Sequence, residues 1–481
     1  MKTTGRRSSF NIFLTSTFLS GCVAALIAAQ SLMIYITNGD GRVLVISLLL
    51  FIWSLLSIVA AQTNNGRIFF FSGAFWIVSA TTFYILLKSL ELINEGVGGI
   101  LIAPLLSVCL FLVGYIFGRI AWPTGTWLNI LPSANDENYY SENLYRWLMT
   151  SFILFKLLNF FLFEIYGAGG SNALEISKST QNQGAGFLFR LQSIAYASYI
   201  LLLISAYKTK KYVASARLLT AYLLIEAVFQ AGRSAIIIII FVNVFLHHVY
   251  VKPVKYIYLV FMAPPLVFLI AFFGYVRDFQ VGNFSVYISA MNLFLKDMGL
   301  VYKLFLSRMD MLPQMIVAFQ MNDQGSLKKM YGLSYIYAFL HAIPRPLWPD
   351  KPLLTAAYLT SQTYPGAFKD GVNIYPSIMV ESFMNFSWFG VPLIGLLVAK
   401  LTSWYETFLY SGKPYMQAFG LVNLTFPMGL FNEGIHSNNF ASIIYCGVLY
   451  FLWLKISKIV LGKDYLPLVL LSKERVVLRG K

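Results

Sequence analysis

The chain has 481 residues, of which 58% are hydrophobic, 17% aromatic and only 12% charged, and its formal net charge is +16. A soluble domain is typically about a quarter charged and less than half apolar, so this composition argues against a soluble globular protein. Loops on the cytoplasmic side of a membrane account for the excess of Lys and Arg, which therefore does not indicate a nucleic-acid partner. The three cysteines, Cys22, Cys109 and Cys446, all lie inside apolar runs, which is neither a disulfide framework nor a metal-ligand spacing.

Runs of roughly 20 apolar residues recur along the whole chain, and each is long enough to cross a hydrocarbon core of about 30 Å. A span of this kind must satisfy its own backbone hydrogen bonds, so each run is predicted to be an α-helix. The first run continues past Cys22, which favours an uncleaved span over a cleaved signal peptide. The predicted spans are roughly 11–36, 43–61, 68–90, 98–118, 147–166, 187–206, 214–231, 234–250, 254–275, 386–408, 415–431 and 438–461.

We therefore predict an all-helical polytopic membrane protein with about 12 transmembrane helices in one integrated membrane domain. Residues 1–275 hold the first nine spans, and residues 386–481 hold the last three spans and a tail. Residues 276–385 form a large helical loop between spans 9 and 10. Within this loop, apolar residues recur at spacings of three and four from Phe294 to Leu312, which predicts an amphipathic helix.

The distribution of Lys and Arg predicts the orientation of the spans. Basic residues are frequent in every second connection, including Arg119 and Arg146 in one connection, the segment Lys208–Arg217, and the tail from Lys463 onward. The alternate short connections contain fewer Lys and Arg residues. In membrane proteins, the short loops that are rich in Lys and Arg lie on the cytoplasmic side. Both termini are therefore predicted to be cytoplasmic, which places the loop 276–385 outside.

Side chains that can bind an anion collect on the predicted outer side. Arg233 follows Gly232 at the start of a span, so a guanidinium and the free N–H groups of a helix start favour binding of phosphate oxygens. An interfacial anchor is the alternative for Arg233. Arg345 lies between Pro344 and Pro346, whose restricted backbone favours a preorganised binding group. The other candidate binding residues are Arg277, Arg308, His341, Trp348, Lys351 and Tyr375. For Trp348 and Tyr375, whose flat rings suit sugars, a location at the bilayer interface is the alternative. Local salt bridges are the alternative in the pairs Arg277–Asp278 and Arg308–Asp310.

Three outer residues, Glu381, Glu433 and His436, are placed for proton transfer. A carboxylate or an imidazole at this position can act as a general base on a hydroxyl group. Helix capping near the start of the last span is the alternative for Glu433. The sequence holds no Walker loop, HExxH, GxSxG, DxD or CxxC motif, so neither a nucleotide cofactor nor a metal is expected.

Three patches of sequence carry a resemblance to a known family. They are Gly232-Arg233 before an apolar span, the proline-rich stretch Ile343–Pro352 followed by Glu381 and Asn385, and Asn432-Glu433-Gly434 before the last span. In this order and topology they resemble the O-antigen polymerase family, membrane enzymes that join oligosaccharide repeat units. The resemblance covers residues from about 225 to 460. Relatives are expected to carry an arginine where this chain has Asn432.

The resemblance implies a metal-independent membrane glycosyltransferase on the outer face of the bacterial cytoplasmic (inner) membrane. It would transfer a growing glycan from undecaprenyl pyrophosphate to a lipid-linked repeat unit, in O-antigen, capsule or common-antigen biosynthesis. The implied partners are such glycans, the lipid bilayer, and a chain-length regulator and a flippase of the same pathway. No cofactor is implied, because the donor is already activated.

Two alternative functions stay open. An O-antigen ligase would use the same donor chemistry with a lipid A core acceptor. A lipid-linked oligosaccharide flippase or another transporter is favoured by Lys156 and Glu226, which both fall within predicted spans.

The charge pattern makes a testable prediction about topology. A cysteine that replaces Lys369 should react with a membrane-impermeant thiol reagent in spheroplasts, whereas one that replaces Lys210 should react only after permeabilisation. Reaction at position 210 but not at position 369 in unpermeabilised spheroplasts would overturn the predicted orientation.

Overall fold

The computed structural model describes residues 29, 32–33, 41–62, 72–81, 84–85, 87–94, 98–122, 141–167, 190–229, 233–252, 254, 256–276, 284–297, 299–301, 304, 311–340, 343, 348, 350–369, 374–375, 377–411 and 413–462. In this part of the chain all regular structure is helical, which confirms the predicted class. The α-helices are Gly41–Gln62, Gly73–Thr81, Leu87–Asn94, Ile102–Ala121, Glu142–Gly167, Gln192–Thr209, Val213–Phe229, Arg233–Tyr250, Tyr256–Val276, Phe284–Lys296, Met311–Asp323, Leu333–Leu340, Thr355–Thr363, Pro365–Lys369, Ile378–Leu409, Pro414–Val422, Phe426–Glu433 and Asn438–Leu461.

Three helices among the described residues are both long enough and apolar enough to cross a membrane. They are Ile102–Ala121, Ile378–Leu409 and Phe440–Leu461. Three further helical segments are apolar but shorter, namely Gly41–Ser57, Ala235–Tyr250 and Pro264–Val276. By length and composition, these helices support the assignment of the chain to the membrane proteins.

The predicted span 415–431 consists of two helices, Pro414–Val422 and Phe426–Glu433, with a turn at residues 423–425. Pro427 lies in the first turn of the second helix, where the absence of an N–H is harmless because first-turn amides have no partner within the helix. Inside a continuous helix the same proline would remove a hydrogen bond and clash with the carbonyl four residues earlier. The prediction of one continuous helix at this position is therefore wrong.

The predicted amphipathic helix from Phe294 to Leu312 is also interrupted. The helix Phe284–Lys296 ends just before Asp297, whose Oδ1 accepts a hydrogen bond of 3.1 Å from the backbone N–H of Leu300. An aspartate in this geometry starts a new helical segment, because its carboxylate satisfies an N–H that the helix leaves free. Leu312 belongs to the separate helix Met311–Asp323.

The chain divides into two compact units. The first unit comprises Met1–Gly125, Leu293–Glu406 and Thr425–Ile443, and the second comprises Thr126–Asn292, Thr407–Leu424 and Ile444–Lys481. Two candidate membrane helices, Ile102–Ala121 and most of Ile378–Leu409, therefore belong to the first unit.

These two helices of the first unit pack at very short range through glycines. A Cβ atom added at Gly114 would lie 1.9 Å from the carbonyl oxygen of Pro392, and one added at Gly395 would lie 2.2 Å from that of Phe111. No side chain fits in such spaces, so backbone packs directly on backbone. Small residues at helix contacts are typical of membrane proteins, where the gain comes from close packing rather than from exclusion of water.

The contacts advance in the same direction along both helices, so the pair is parallel. The Ser107 hydroxyl lies 3.8 Å from the Met379 sulfur near one end, and the Arg119 guanidinium lies 3.1 Å from the Glu406 carboxylate near the other. Arg119 also donates a hydrogen bond of 2.9 Å to the Ser403 hydroxyl and is completely buried. Arg119 is therefore not a loop charge, as the sequence suggested, but half of a buried ion pair.

The second unit also contains an ion pair, between a buried lysine and a half-buried glutamate. Lys156 lies 2.5 Å from Glu226, and its ammonium group is 4.9 Å from the centre of the Tyr196 ring. The pair joins the helices Glu142–Gly167 and Val213–Phe229, which lie far apart from each other in sequence. Two charges that pair in this way offset part of each other's desolvation cost within the helix packing. They no longer favour a transporter on their own.

The close packing of the parallel pair predicts unequal effects of two glycine substitutions. Gly114→Ala should lower the thermal unfolding temperature of the detergent-solubilised protein, because overpacking typically costs about 1–3 kcal/mol. Gly447→Ala is the matched control, since a Cβ there would meet only Phe419 ring atoms, at 3.7 Å and beyond. That variant should keep or slightly raise the unfolding temperature, because alanine favours the helix by about 1 kcal/mol. Equal shifts for both variants would contradict the packing described.

Candidate functional site

The carboxylate of Glu381 is the centre of the candidate site. Glu381 lies in the first turn of the helix Ile378–Leu409 and is completely buried in the first unit. Its Oε2 accepts a hydrogen bond of 2.7 Å from the Ile435 amide, and its Oε1 accepts one of 2.9 Å from the His436 amide. The Ser334 hydroxyl donates a third, of 3.0 Å, to Oε1. One carboxylate thus joins three separate segments of the chain.

Asn385 extends this network along the same helix. Its side-chain amide donates to the Ser334 hydroxyl at 2.7 Å and to the Glu381 carbonyl at 2.8 Å, while its Oδ1 accepts from the Gly332 amide at 2.8 Å. Glu381 and Asn385 are four residues apart, so both project from one face of the helix. That spacing is the signal in the sequence that links them.

The helix breaks directly after Asn385. Phe386 and Ser387 have non-helical backbone angles, and Ser387 has φ 56° and ψ −152°. A positive φ is strained for a residue with a side chain, and such strain persists only where the surrounding contacts impose it. The break allows Gly390 to approach the carbonyl of Ser382 so closely that an added Cβ would lie 2.4 Å from its oxygen. The short segment 378–385 thereby takes its own direction, which is set by the polar network.

Gly434 allows the carboxylate to reach the loop before the last helix. Its φ is 85°, and a Cβ atom there would lie 1.9 Å from Oε2 of Glu381. The two amides that follow point at the carboxylate and form a small anion-binding nest. The glycine of the sequence Asn432-Glu433-Gly434 is therefore required by a contact with a residue more than 50 positions earlier.

His436 is buried beside the same loop. Its Nδ1 lies 3.3 Å from the Thr355 hydroxyl, and its ring centre lies 6.1 Å from that of Tyr337. Burial, with a smaller contribution from the positive charge of Lys351, lowers the pKa of His436 to about 4. The imidazole is therefore uncharged at neutral pH, so it can accept a hydrogen bond but does not act as a cation.

Glu433 is the last residue of the helix Phe426–Glu433 and is half-buried. The Oγ of Ser437, four residues later, accepts a hydrogen bond of 3.2 Å from the Phe440 amide in the first turn of the last helix. The neighbouring Asn432 carbonyl accepts one of 3.1 Å from the Ser377 amide, which fixes the position of Glu433 relative to the segment that carries Glu381.

Three of the predicted binding residues, Trp348, Lys351 and Tyr375, are among the described residues and lie in segments that lead into this region. The backbone N–H of Lys351 donates a hydrogen bond of 3.3 Å to the Trp348 carbonyl, which forms a turn. The ammonium group of Lys351 donates another, of 3.0 Å, to the Ile343 carbonyl. This turn leads into the helix Thr355–Thr363, whose first residue contacts His436. Tyr375 is exposed, two residues before Ser377.

The predicted arginines are described least. Arg233 is the first residue of the helix Arg233–Tyr250 in the second unit, as predicted, but only its backbone is described. Arg277, Arg308, His341 and Arg345 lie outside the described residues.

Sequence reasoning missed two residues of the network, Ser334 and Thr355. Both are hydroxyl residues that are completely buried, Ser334 in an otherwise apolar and aromatic helix and Thr355 at the start of one. A lone hydroxyl on the buried face of a short helix is a weak signal, because serine and threonine can also bond to the backbone of their own helix.

Comparison with protein-family models, with curated proteins and with solved structures finds no match for the chain.

The contact between Gly434 and Glu381 predicts a selective loss of stability. Gly434→Ala should destabilise the protein by backbone strain of about 1–3 kcal/mol and, in addition, by displacement of the carboxylate from its amide donors. Gly325→Ala is the matched control, because Gly325 also has a positive φ, of 71°, but has open space around its Cβ position. Thermal unfolding of both purified variants measures the difference. If Gly325→Ala is as destabilising as Gly434→Ala, the carboxylate is not held as described.

Proposed function

We propose that this protein is a membrane glycosyltransferase that polymerises lipid-linked oligosaccharide repeat units, as the O-antigen polymerases do. One observation carries the proposal. Two of the three patches that resemble this family, Glu381 with Asn385 and Asn432-Glu433-Gly434, are distant in sequence but meet in one buried network. A coincidental likeness of short motifs gives no reason for them to be neighbours in space.

The proposed topology has about 12 spans with both termini in the cytoplasm. The parallel packing of Ile102–Ala121 and Ile378–Leu409 supports it, because parallel spans require an odd number of crossings between them. Five spans are predicted in that interval, from residue 147 to residue 275. In this topology, the loop 276–385 and the turn 434–437 are both outside, on the side of a bacterial inner membrane where lipid-linked repeat units are joined.

The proposed substrate is a glycan on undecaprenyl pyrophosphate. Its pyrophosphate would be bound by guanidinium groups, because planar guanidinium forks match phosphate oxygens and stabilise the charge that develops on the leaving group. Aromatic side chains in the outer loop would contact the sugar rings. The residues proposed for substrate binding are Arg233, Arg277, Arg308, Arg345, His341, Trp348, Lys351 and Tyr375.

In the proposed reaction, Glu433 accepts the proton of the acceptor hydroxyl. The hydroxyl oxygen forms a bond to the anomeric carbon of the donor, and the bond from that carbon to the pyrophosphate breaks. The pyrophosphate leaves with the electron pair. Neutral His436 is the next candidate for the base. The contacts of Glu381 favour a positioning role, because two of the three hydrogen bonds to its carboxylate come from the amides of Ile435 and His436, in the loop that directly follows Glu433.

The chain length of the surface polysaccharide after deletion of the gene distinguishes this proposal from a ligase or a flippase. If the gene is deleted in the source bacterium, a polymerase defect removes the chain-length ladder on a gel but leaves one repeat unit attached. Loss of every attached repeat would instead indicate a ligase or a flippase.

The general-base role predicts the effect of a single substitution. Glu433→Gln should lower the rate of polymer formation by purified protein on lipid-linked repeat units about 10²- to 10⁴-fold, because the amide keeps the shape but cannot accept the proton. Asp323→Asn is the control, since Asp323 is an exposed acid at the end of another outer-loop helix. Rates are normalised to folded protein. A near-normal rate for Glu433→Gln would remove Glu433 from the mechanism and direct the search to His436.

A further inference from the structure

The short helix Leu333–Leu340 has two opposite faces. Ser334 and Ala338 are buried, and Ser334 donates the hydrogen bond to Glu381. On the other side, Leu333, Ile336 and Phe339 are 47%, 58% and 62% exposed. Residues three apart share one side of a helix, so these large apolar side chains form one stripe. Soluble surfaces rarely leave such a stripe in contact with water.

Aromatic side chains of the helix Leu333–Leu340 contact two candidate membrane helices, and one of these side chains, Phe339, belongs to the stripe. The ring of Tyr335 lies 6.1 Å from that of Phe386, in Ile378–Leu409, and the ring of Phe339 lies 5.6 Å from that of Phe440, the first residue of Phe440–Leu461. Phe389, three residues after Phe386, is 74% exposed, as expected for a side chain that faces lipid. The same apolar environment therefore extends from these spans to the short helix.

We propose that the helix Leu333–Leu340 lies in the outer interface of the lipid bilayer, with this apolar stripe buried among the acyl chains. Eight residues make about 12 Å of helix, which is too short to cross a membrane but suits one lying in its plane. Tyr331 and Lys328 precede the helix and are both exposed, and residues of these types are favoured at the level of the headgroups.

This placement connects the bilayer to the buried network. The face toward lipid and the face toward Glu381 belong to the same two turns of helix. Burial of the apolar face in the bilayer therefore helps to hold Ser334 in place against Glu381. The inference rests on the membrane character of the chain and takes the side of the bilayer from the proposed topology. It holds or fails independently of the proposed glycosyl transfer.

Electron paramagnetic resonance of the full-length protein in lipid nanodiscs tests the proposal. Ile336→Cys and Phe339→Cys are each labelled with a nitroxide, and collisions are measured with oxygen, which concentrates in lipid, and with a water-soluble nickel chelate. Of the three native cysteines, Cys109 and Cys446 are buried. Labelling of any native cysteine, including Cys22, is subtracted by using the parental protein. Gln362→Cys is the control, because Gln362 is an exposed residue of the nearby outer-loop helix Thr355–Thr363.

Labels at 336 and 339 should collide several-fold more often with oxygen than with the chelate, at a depth of about 5–10 Å, while the label at 362 shows the reverse. Chelate access at 336 and 339 equal to that at 362 would overturn the proposal. An immobile label shielded from both reagents would also overturn it, because another protein or a second copy of the chain would then cover the stripe. If one variant does not fold, Leu333→Cys supplies the second position on the same stripe.

Discussion

The organisation of the first unit around its polar network depends on a single buried carboxylate. Removing a carboxylate from water is costly unless hydrogen bonds replace its hydration, and Glu381 has three such bonds from two backbone amides and a hydroxyl. Every donor lies on a different part of the chain from the helix that carries Glu381. The loop 434–437 and the helix Leu333–Leu340 are therefore both joined to the start of Ile378–Leu409 by this one group, and the hydrogen bonds of Asn385 reinforce the contact with the helix.

Hydropathy predicted the class of fold well but placed some helix boundaries wrongly. The predicted span 386–408 begins where the helix Ile378–Leu409 breaks, at Phe386 and Ser387. Hydropathy detects the membrane-like part after the break, whereas the eight residues before it are helical because polar contacts hold them. In the same way, Asp297 interrupts an apolar run because it caps a new helical segment, and Pro427 interrupts another because it has no backbone N–H. Both are effects of a single residue, which hydropathy averaged over a window does not resolve.

The candidate site was predictable where local spacing carries information. Glu381 and Asn385 share a helix face, and Gly434 stands out beside two polar residues, so both patches could be identified from the sequence. The reason for Gly434 could not, because it lies in the close approach of a carboxylate 53 residues earlier in the chain. Ser334 and Thr355 were invisible for the same reason, since their partners are tertiary. Arg119, Lys156 and Glu226 were visible as charges, but the pairing of Arg119 with Glu406 and of Lys156 with Glu226 was not.

The two buried ion pairs also constrain how the chain is made. Lys156 and Glu226 are separated by 70 residues, so at about 5–20 residues per second the ribosome supplies the partner within roughly 4–14 s. Arg119 and Glu406 are separated by 287 residues, and Arg119 must wait roughly 15–60 s. During that time its long side chain can extend to the membrane surface from the last turn of its helix. The helix Ile102–Ala121 therefore reaches its final packing only after most of the protein has been synthesised. Packing of the first third of the chain thus requires the last third, which carries Glu406.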